Sequence, residues 1–236
     1  MILRDVQDVA TVWRNTQALS FDPFVEAVLK SFGISRPTLV KIFADPRDLI
    51  HGEALNKSLL INENPHNKGY MNLEREWFKV QLLAPEALQI LQDKYCLYLG
   101  ESLTWDKLSP TYIQSSESAD SKTVSLRLFC KYTVSYCSTK TFFGRGLEQV
   151  APEFLKDYQD FEEESWKIFY RFPPFLVKSA HGYKDKAIDG LIKYLSAPED
   201  ERSELEWLFR TMNSELRYLG VPIRDIAGIV MIIIWA

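Results

Sequence analysis

The chain is poor in the residues that most often carry chemistry. Its three histidines, His51, His66 and His181, fall in three separate segments, so no pair shares a metal-ligand spacing and each reads as a loop or surface residue. No metal is expected. Its three cysteines, Cys96, Cys130 and Cys137, include no Cys-x-x-Cys pair and fit a reducing compartment better than a disulfide framework. The seven-residue step from Cys130 to Cys137 places both on one helix face, where core packing is the simpler reading. Serine nucleophile elbows, His-Glu-x-x-His helices and Gly-rich dinucleotide loops are all missing, which leaves hydrolase and dehydrogenase chemistry without its usual parts. A formal charge of -4 with the signs interspersed gives no basic footprint, so no nucleic-acid partner is expected. The acidic run Glu162 to Glu164 reads as a solvated helix face rather than a catalytic pair.

What the chain has is apolar and aromatic mass, 46% and 13% of its 236 residues, enough for one large core. Residues 5–16 carry the i, i+3, i+4, i+7 spacing of a short helix, and residues 19–34 a second, with Asp22 as cap and Pro23 at the first helical position. Residues 35–65 are rich in turn signals, with a further helix allowed over 46–60. Helices are predicted over 71–83, onward from Pro85, and over 124–143, where β-branched residues would permit strand but Leu128, Phe129, Tyr132 and Tyr136 keep a helical face. The polar stretch 109–122 between them reads as an exposed loop. Phe143-Gly144-Arg145-Gly146 stops the helix before it. Phe154, Tyr158, Phe161 and Ile168 make the next face; Ala180, Ala187, Leu191 and Leu195 another; Leu205, Leu208, Phe209, Met212, Leu216 and Leu219 a third, closed by Gly220.

The last segment, 226–236, contains no charge at all. Pro222 and Asp225 open it as a helix, and its apolar character on every side predicts a central position. At eleven residues it is short of the ~20 that span a bilayer. Because it ends without Gly, Asn or a basic turn, the expectation is a final helix cut mid-length. The fold class read from these patterns is mainly α, in one domain over 1–236.

The order of segments resembles an interior slice of a cytochrome P450, in the branch of sterol hydroxylases and prostacyclin synthase. The resemblance rests on 4–9 and 19–22, on Leu82-Leu83-Ala84-Pro85-Glu86-Ala87-Leu88, and on Phe142-Phe143-Gly144. It continues with the helix ending Phe172-Pro173-Pro174-Phe175-Leu176, and with Ile232-Ile233-Ile234-Trp235-Ala236, similar to the start of the family's Trp-Ala-x-x-Ala-Asn distal helix. It implies a P450-like helical domain truncated at both ends, lacking the thiolate cysteine loop that holds haem iron. Glu199 to Arg202 spells the family's Glu-x-x-Arg but sits in a turn, which makes it a chance match. Trp77 is followed four residues on by Gln81, where the family commonly has arginine.

Several expectations follow from that resemblance. Arg75 and Lys79 are the candidates for a haem propionate. Phe172, Phe175, Ile233, Trp235 and Ala236 are the candidates for the distal haem face and substrate pocket, walled also by 64–78 and 169–177. The implied cofactor is haem, the implied substrate a lipophilic small molecule, the implied electron donor a cytochrome P450 reductase. Family members are typically anchored to the endoplasmic reticulum, and no anchor is present in this sequence. A complete member would hydroxylate its substrate with molecular oxygen; this chain alone is expected to be inactive. The alternative is a catalytically dead helical remnant that acts as an interaction module. Docking of the terminal run on a membrane is the weakest option, since it lacks the charged face of interfacial helices.

Overall fold

A computed structural model describes residues 20–44, 64, 67–118 and 121–235. Among them lie ten α-helices: α1 Asp22–Ser31, α2 Arg36–Phe43, α3 Tyr70–Leu82, α4 Pro85–Ser102, α5 Leu126–Phe143, α6 Gly146–Val150, α7 Phe154–Phe169, α8 Lys178–Ser196, α9 Trp207–Tyr218 and α10 Ile223–Trp235. The mainly helical reading therefore holds, and the expected helices among the described residues begin and end within a few residues of their sequence signals. The expectations for 5–16 and 46–60 lie outside the described residues.

Local chemistry explains most of the boundaries. Pro85 starts α4 at a position where its missing N–H costs nothing. The Ser125 hydroxyl caps α5 by accepting from the Leu128 amide. Gly144 ends α5 at φ +66, and a Cβ there would lie 2.2 Å from Glu204 Cβ. Gly146 is equally constrained, since its Cβ would meet the Glu201 carbonyl oxygen at 2.1 Å. The two glycines thus let the chain turn tightly against the α8–α9 connection, where Tyr194 also donates its hydroxyl to the Phe143 carbonyl at 2.8 Å. At α1 the cap differs from expectation: Phe21 is the N-cap and Asp22 the first helical residue. The Asp22 carboxylate is committed elsewhere, to Arg75 of α3 at 2.5 Å.

Helix α8 is the hub. It packs along α7, α10 and α6, with Ala187, Leu191, Tyr194 and Leu195 fully buried. Ala at 180 and 187 brings neighbouring backbones close, while the leucines supply apolar area at about 25 cal/mol per Å². Lys184 is buried on the same helix and donates to the Phe32 carbonyl at 3.1 Å, a basic group on the carbonyl just past the end of α1. Helix α10, expected at the centre, is enclosed only in part. Asp225 to Met231 are buried, but Ile232, Ile233, Ile234 and Trp235 are half-exposed.

The polar stretch read as a loop forms an antiparallel hairpin instead, β1 Ile113–Ser118 with β2 Ser121–Val124. It carries little apolar alternation, which is why the strand pattern was not visible. Its anchor is one residue: Tyr112, 1% exposed, packs edge-on against Phe129 and Tyr132 of α5 at 5.2 and 5.8 Å. The Ser125 amide then donates to the Tyr112 carbonyl at 2.9 Å, closing the base of the hairpin. A second difference concerns the cysteine pair on α5, of which Cys137 is core and Cys130 exposed. No helix among the described residues is long and apolar enough to cross a membrane.

Candidate functional site

The half-exposed side of α10 faces a groove of about 540 Å³. Ile229, Ile232 and Ile233 form one wall, Phe21, Val25 and Leu29 of the α1 region a second, and Met71, Phe78 and Leu82 of α3 a third. These residues sit there because α3 presents Tyr70, Glu74 and Phe78 at four-residue steps, with Met71, Arg75 and Leu82 on the adjoining strip. Helix α3 is fixed from behind by Trp77, buried and edge-on to Tyr70 at 6.0 Å.

Three polar residues, Tyr70, Glu74 and Arg75, stand among the apolar lining. The Tyr70 hydroxyl is buried and has no hydrogen-bond partner among the described residues. Burial holds it well above the usual phenol range, with the charges of Glu74 and Glu215 adding to the effect. It is therefore a neutral donor with an unmet bond, a state that costs about 1–3 kcal/mol. One turn along α3, the Glu74 carboxyl is pushed up to about 7 by burial, against the opposing pull of Arg75. Near neutral pH this carboxyl exchanges its proton and can donate or accept.

Of the site residues expected from sequence, the structure brings Arg75 and Ile233 into this groove. Arg75 is held by Asp22, with a longer bond to the Asn72 side chain at 3.4 Å. Lys79 lies one turn further on the same helix and is exposed. Trp235 turns away from the groove: its indole N–H donates to Ser165 Oγ at 3.1 Å, and its ring packs against Phe32 and Phe169 at 5.5 and 6.2 Å. The Tyr158 hydroxyl holds the same turn by donating to the Ile234 carbonyl at 3.1 Å. Phe172 does not reach the groove, because Arg171 at φ +55 turns the chain after α7 and Phe172 packs edge-on to Trp166 at 5.1 Å. Phe175 is 78% exposed and lines no wall of it. Ala236 lies outside the described residues. The stretch 169–177 contributes at one point, Phe169, which meets Phe24 at 6.1 Å and so extends the aromatic rim from Phe21 to Trp235.

Sequence reasoning missed the α1 wall, and within the expected wall 64–78 it did not single out the Tyr70–Glu74 pair. The i, i+4, i+8 spacing of Tyr70, Glu74 and Phe78 was the available signal for the pair; nothing local marks Val25 and Leu29 as lining rather than core. Gln81, standing where the resembling family has arginine, is buried and accepts from the Leu208 amide at 3.3 Å, so it serves the first turn of α9. Arg202 donates to the Ala197 carbonyl at 2.8 Å within its turn, a local role in keeping with the chance reading of Glu199 to Arg202. His181 lies on α8 rather than in a loop, half-buried, its ring nitrogen 3.4 Å from the Lys184 ammonium and its pKa lowered by burial first and by Lys184 second.

The donor set bears on haem directly. Haem-thiolate iron requires a cysteinate, and the sulfur lining the groove is the Met71 thioether, while Cys96 and Cys130 are exposed on other helices and Cys137 lies in the α4–α5 contact beside Ser102. The described residues that line the groove include no cysteine. No group of three or more metal-ligating side chains occurs among them. Comparisons of the chain with protein-family models, curated proteins and solved structures give no match.

Proposed function

We propose that the α10 groove binds a lipophilic small molecule bearing one hydroxyl or carbonyl group, and that the chain forms the substrate-facing wall of a cytochrome P450-like monooxygenase domain. The observation that carries the binding part is the combination of an apolar groove with one carboxyl, that of Glu74, in its lining, held protonated up to about pH 7 by burial. Burial of apolar ligand area supplies affinity, and a single polar group on the ligand, satisfied by Glu74, supplies orientation. The monooxygenase part is supported by the order of segments and by the position of Ile232 and Ile233 in the groove wall. In that reading haem is the cofactor, its thiolate comes from residues other than those described, and a cytochrome P450 reductase is the electron donor.

Binding is tested with dehydroergosterol, a fluorescent sterol, by energy transfer from the tryptophans to the bound probe. Saturable transfer is expected, weakened about tenfold or more by Ile233→Asp, which places a charge in the apolar wall. Transfer that does not saturate, or that is indifferent to Ile233→Asp, overturns the binding site. The monooxygenase part is tested apart from it, by the coding sequence following Ala236. An in-frame cysteine loop of the haem-thiolate kind is expected there; a stop codon in its place overturns this part and leaves a helical binding protein. The 236-residue chain reconstituted with haem and reduced under carbon monoxide is expected to lack the thiolate-type absorption band.

A further inference from the structure

The α10 groove holds one carboxyl that nothing in its walls satisfies. Glu74 lies among isoleucines and aromatic side chains in the lining, and its carboxyl makes no hydrogen bond or ion pair among the described residues. Unlike the Tyr70 hydroxyl, which is enclosed, Glu74 keeps part of its surface open. The charges on the surrounding helices are engaged elsewhere. Arg75, next along α3, is turned to Asp22 of α1 at 2.5 Å. Lys41 of α2 donates to the Gly220 carbonyl at 2.9 Å, and Lys94 of α4 pairs with Glu206. Helix α10 brings Ile229, Ile232 and Ile233 to the groove, and the Glu215 charge of α9 acts on Tyr70. With no cation bonded to it, the Glu74 carboxyl is held protonated up to about pH 7 by burial, against the more distant pull of Arg75.

The two protonation states of that carboxyl offer a ligand different bonds. A carboxylic acid has one O–H to give, whereas a carboxylate has acceptors alone. A ketone or an ester is itself only an acceptor, so it bonds the acid and finds no donor in the carboxylate. An alcohol accepts from the acid and donates to the carboxylate, and so keeps one bond in either state. In apolar surroundings a polar group left without its bond lowers affinity by about tenfold or more.

We infer that Glu74 is the specificity-determining residue of the α10 groove: with its carboxyl protonated the groove takes lipophilic ketones and esters as well as alcohols, and with the carboxyl ionised it keeps alcohols and rejects ketones and esters. This inference rests on the binding reading above and adds to it which functional group is accepted in which state. The changeover falls near pH 7, so modest changes of pH alter which lipophiles the groove retains.

The experiment measures displacement of dehydroergosterol from the full chain by 5α-cholestan-3-one and by 5α-cholestan-3β-ol, which differ only at the polar oxygen, at about pH 5.5 and about pH 8.5. The ketone is expected to weaken about tenfold or more at the higher pH, and the alcohol to stay within about threefold, which also shows that the groove is intact there. Glu74→Gln keeps an N–H donor at every pH, so in that variant the ketone is expected to bind equally well at both. A merely structural role for Glu74 would not remove the pH dependence of one ligand and leave the other unmoved. Parallel pH profiles of ketone and alcohol, or a loss of ketone binding at high pH that persists in Glu74→Gln, would overturn the inference while saturable dehydroergosterol binding leaves the groove itself standing. If dehydroergosterol does not bind, the groove reading fails and this inference falls with it.

Discussion

The Thr38 hydroxyl donates to the Asp225 carboxylate at 2.5 Å, joining two residues 187 positions apart. Ser35 donates to the same oxygen at 2.5 Å, so one carboxylate ties the start of α2 to the start of α10 while sitting in the positive end of its own helix dipole. Asp225 is thus both a local helix-start signal and a tertiary clamp. Asp225→Ala is expected to lower stability by about 1–3 kcal/mol, because it takes from the Thr38 and Ser35 hydroxyls their shared acceptor and removes the dipole partner. The urea unfolding midpoint measures it. Thr38→Val with Asp225→Ala should cost less than the sum of the two single changes, since the pair acts as one unit.

Glu74 predicts an unusual pH dependence. Its folded pKa of about 7 lies above the ordinary value of 4.5, so between those values the folded chain holds a proton that the unfolded chain has released. Stability from this group is therefore highest below about 4.5, falls as pH rises, and levels off above 7. The span is on the order of 2–3 kcal/mol. Denaturant midpoints between pH 5 and 8 should decline in the native chain, and Glu74→Gln should flatten that decline.

At Gly146 the constraint is backbone against backbone, because the added methyl of Gly146→Ala meets the Glu201 carbonyl oxygen. No side-chain rotation relieves that contact. A loss of about 1–3 kcal/mol is expected from the forced shift of the α8–α9 connection. Gly228→Ala is the informative contrast, since its Cβ meets the far end of the Ile34 side chain at 2.7 Å, and Ile34 can rotate. Thermal unfolding of the two variants side by side should show the larger drop at Gly146.

The hub role of α8 is measurable by truncation. Leu191→Ala removes a fully buried side chain from the contact of α8 with its neighbours, and about 2–5 kcal/mol should be lost. Leu126→Ala, at the exposed start of α5 with 72% of its surface in solvent, should change stability by no more than about 0.5 kcal/mol. Equal costs at the two positions would contradict the placement of the core.

The sequence by itself determined the helical class and most helix boundaries, because those follow from interactions within a few residues: the apolar repeat of α7, α8 and α9, Pro85 at a helix start, Gly144 and Gly220 at helix stops. It also marked 226–236 as a central core helix, of which Ile226 to Met231 are buried and Ile232 to Trp235 only half so. Tertiary structure decided the rest. Whether Ile233 faces a cavity and Trp235 faces Ser165 depends on where α1, α3 and α7 come to lie, and no local pattern encodes that. The hairpin at Ile113–Val124 escaped notice because one buried tyrosine, not an alternating strand face, holds it in place. The same holds for the hydroxyls of Tyr70 and Thr139, which have no partner among the described residues. A hydroxyl looks alike in every sequence, and only the packing of distant helices removes its water and leaves it without a partner.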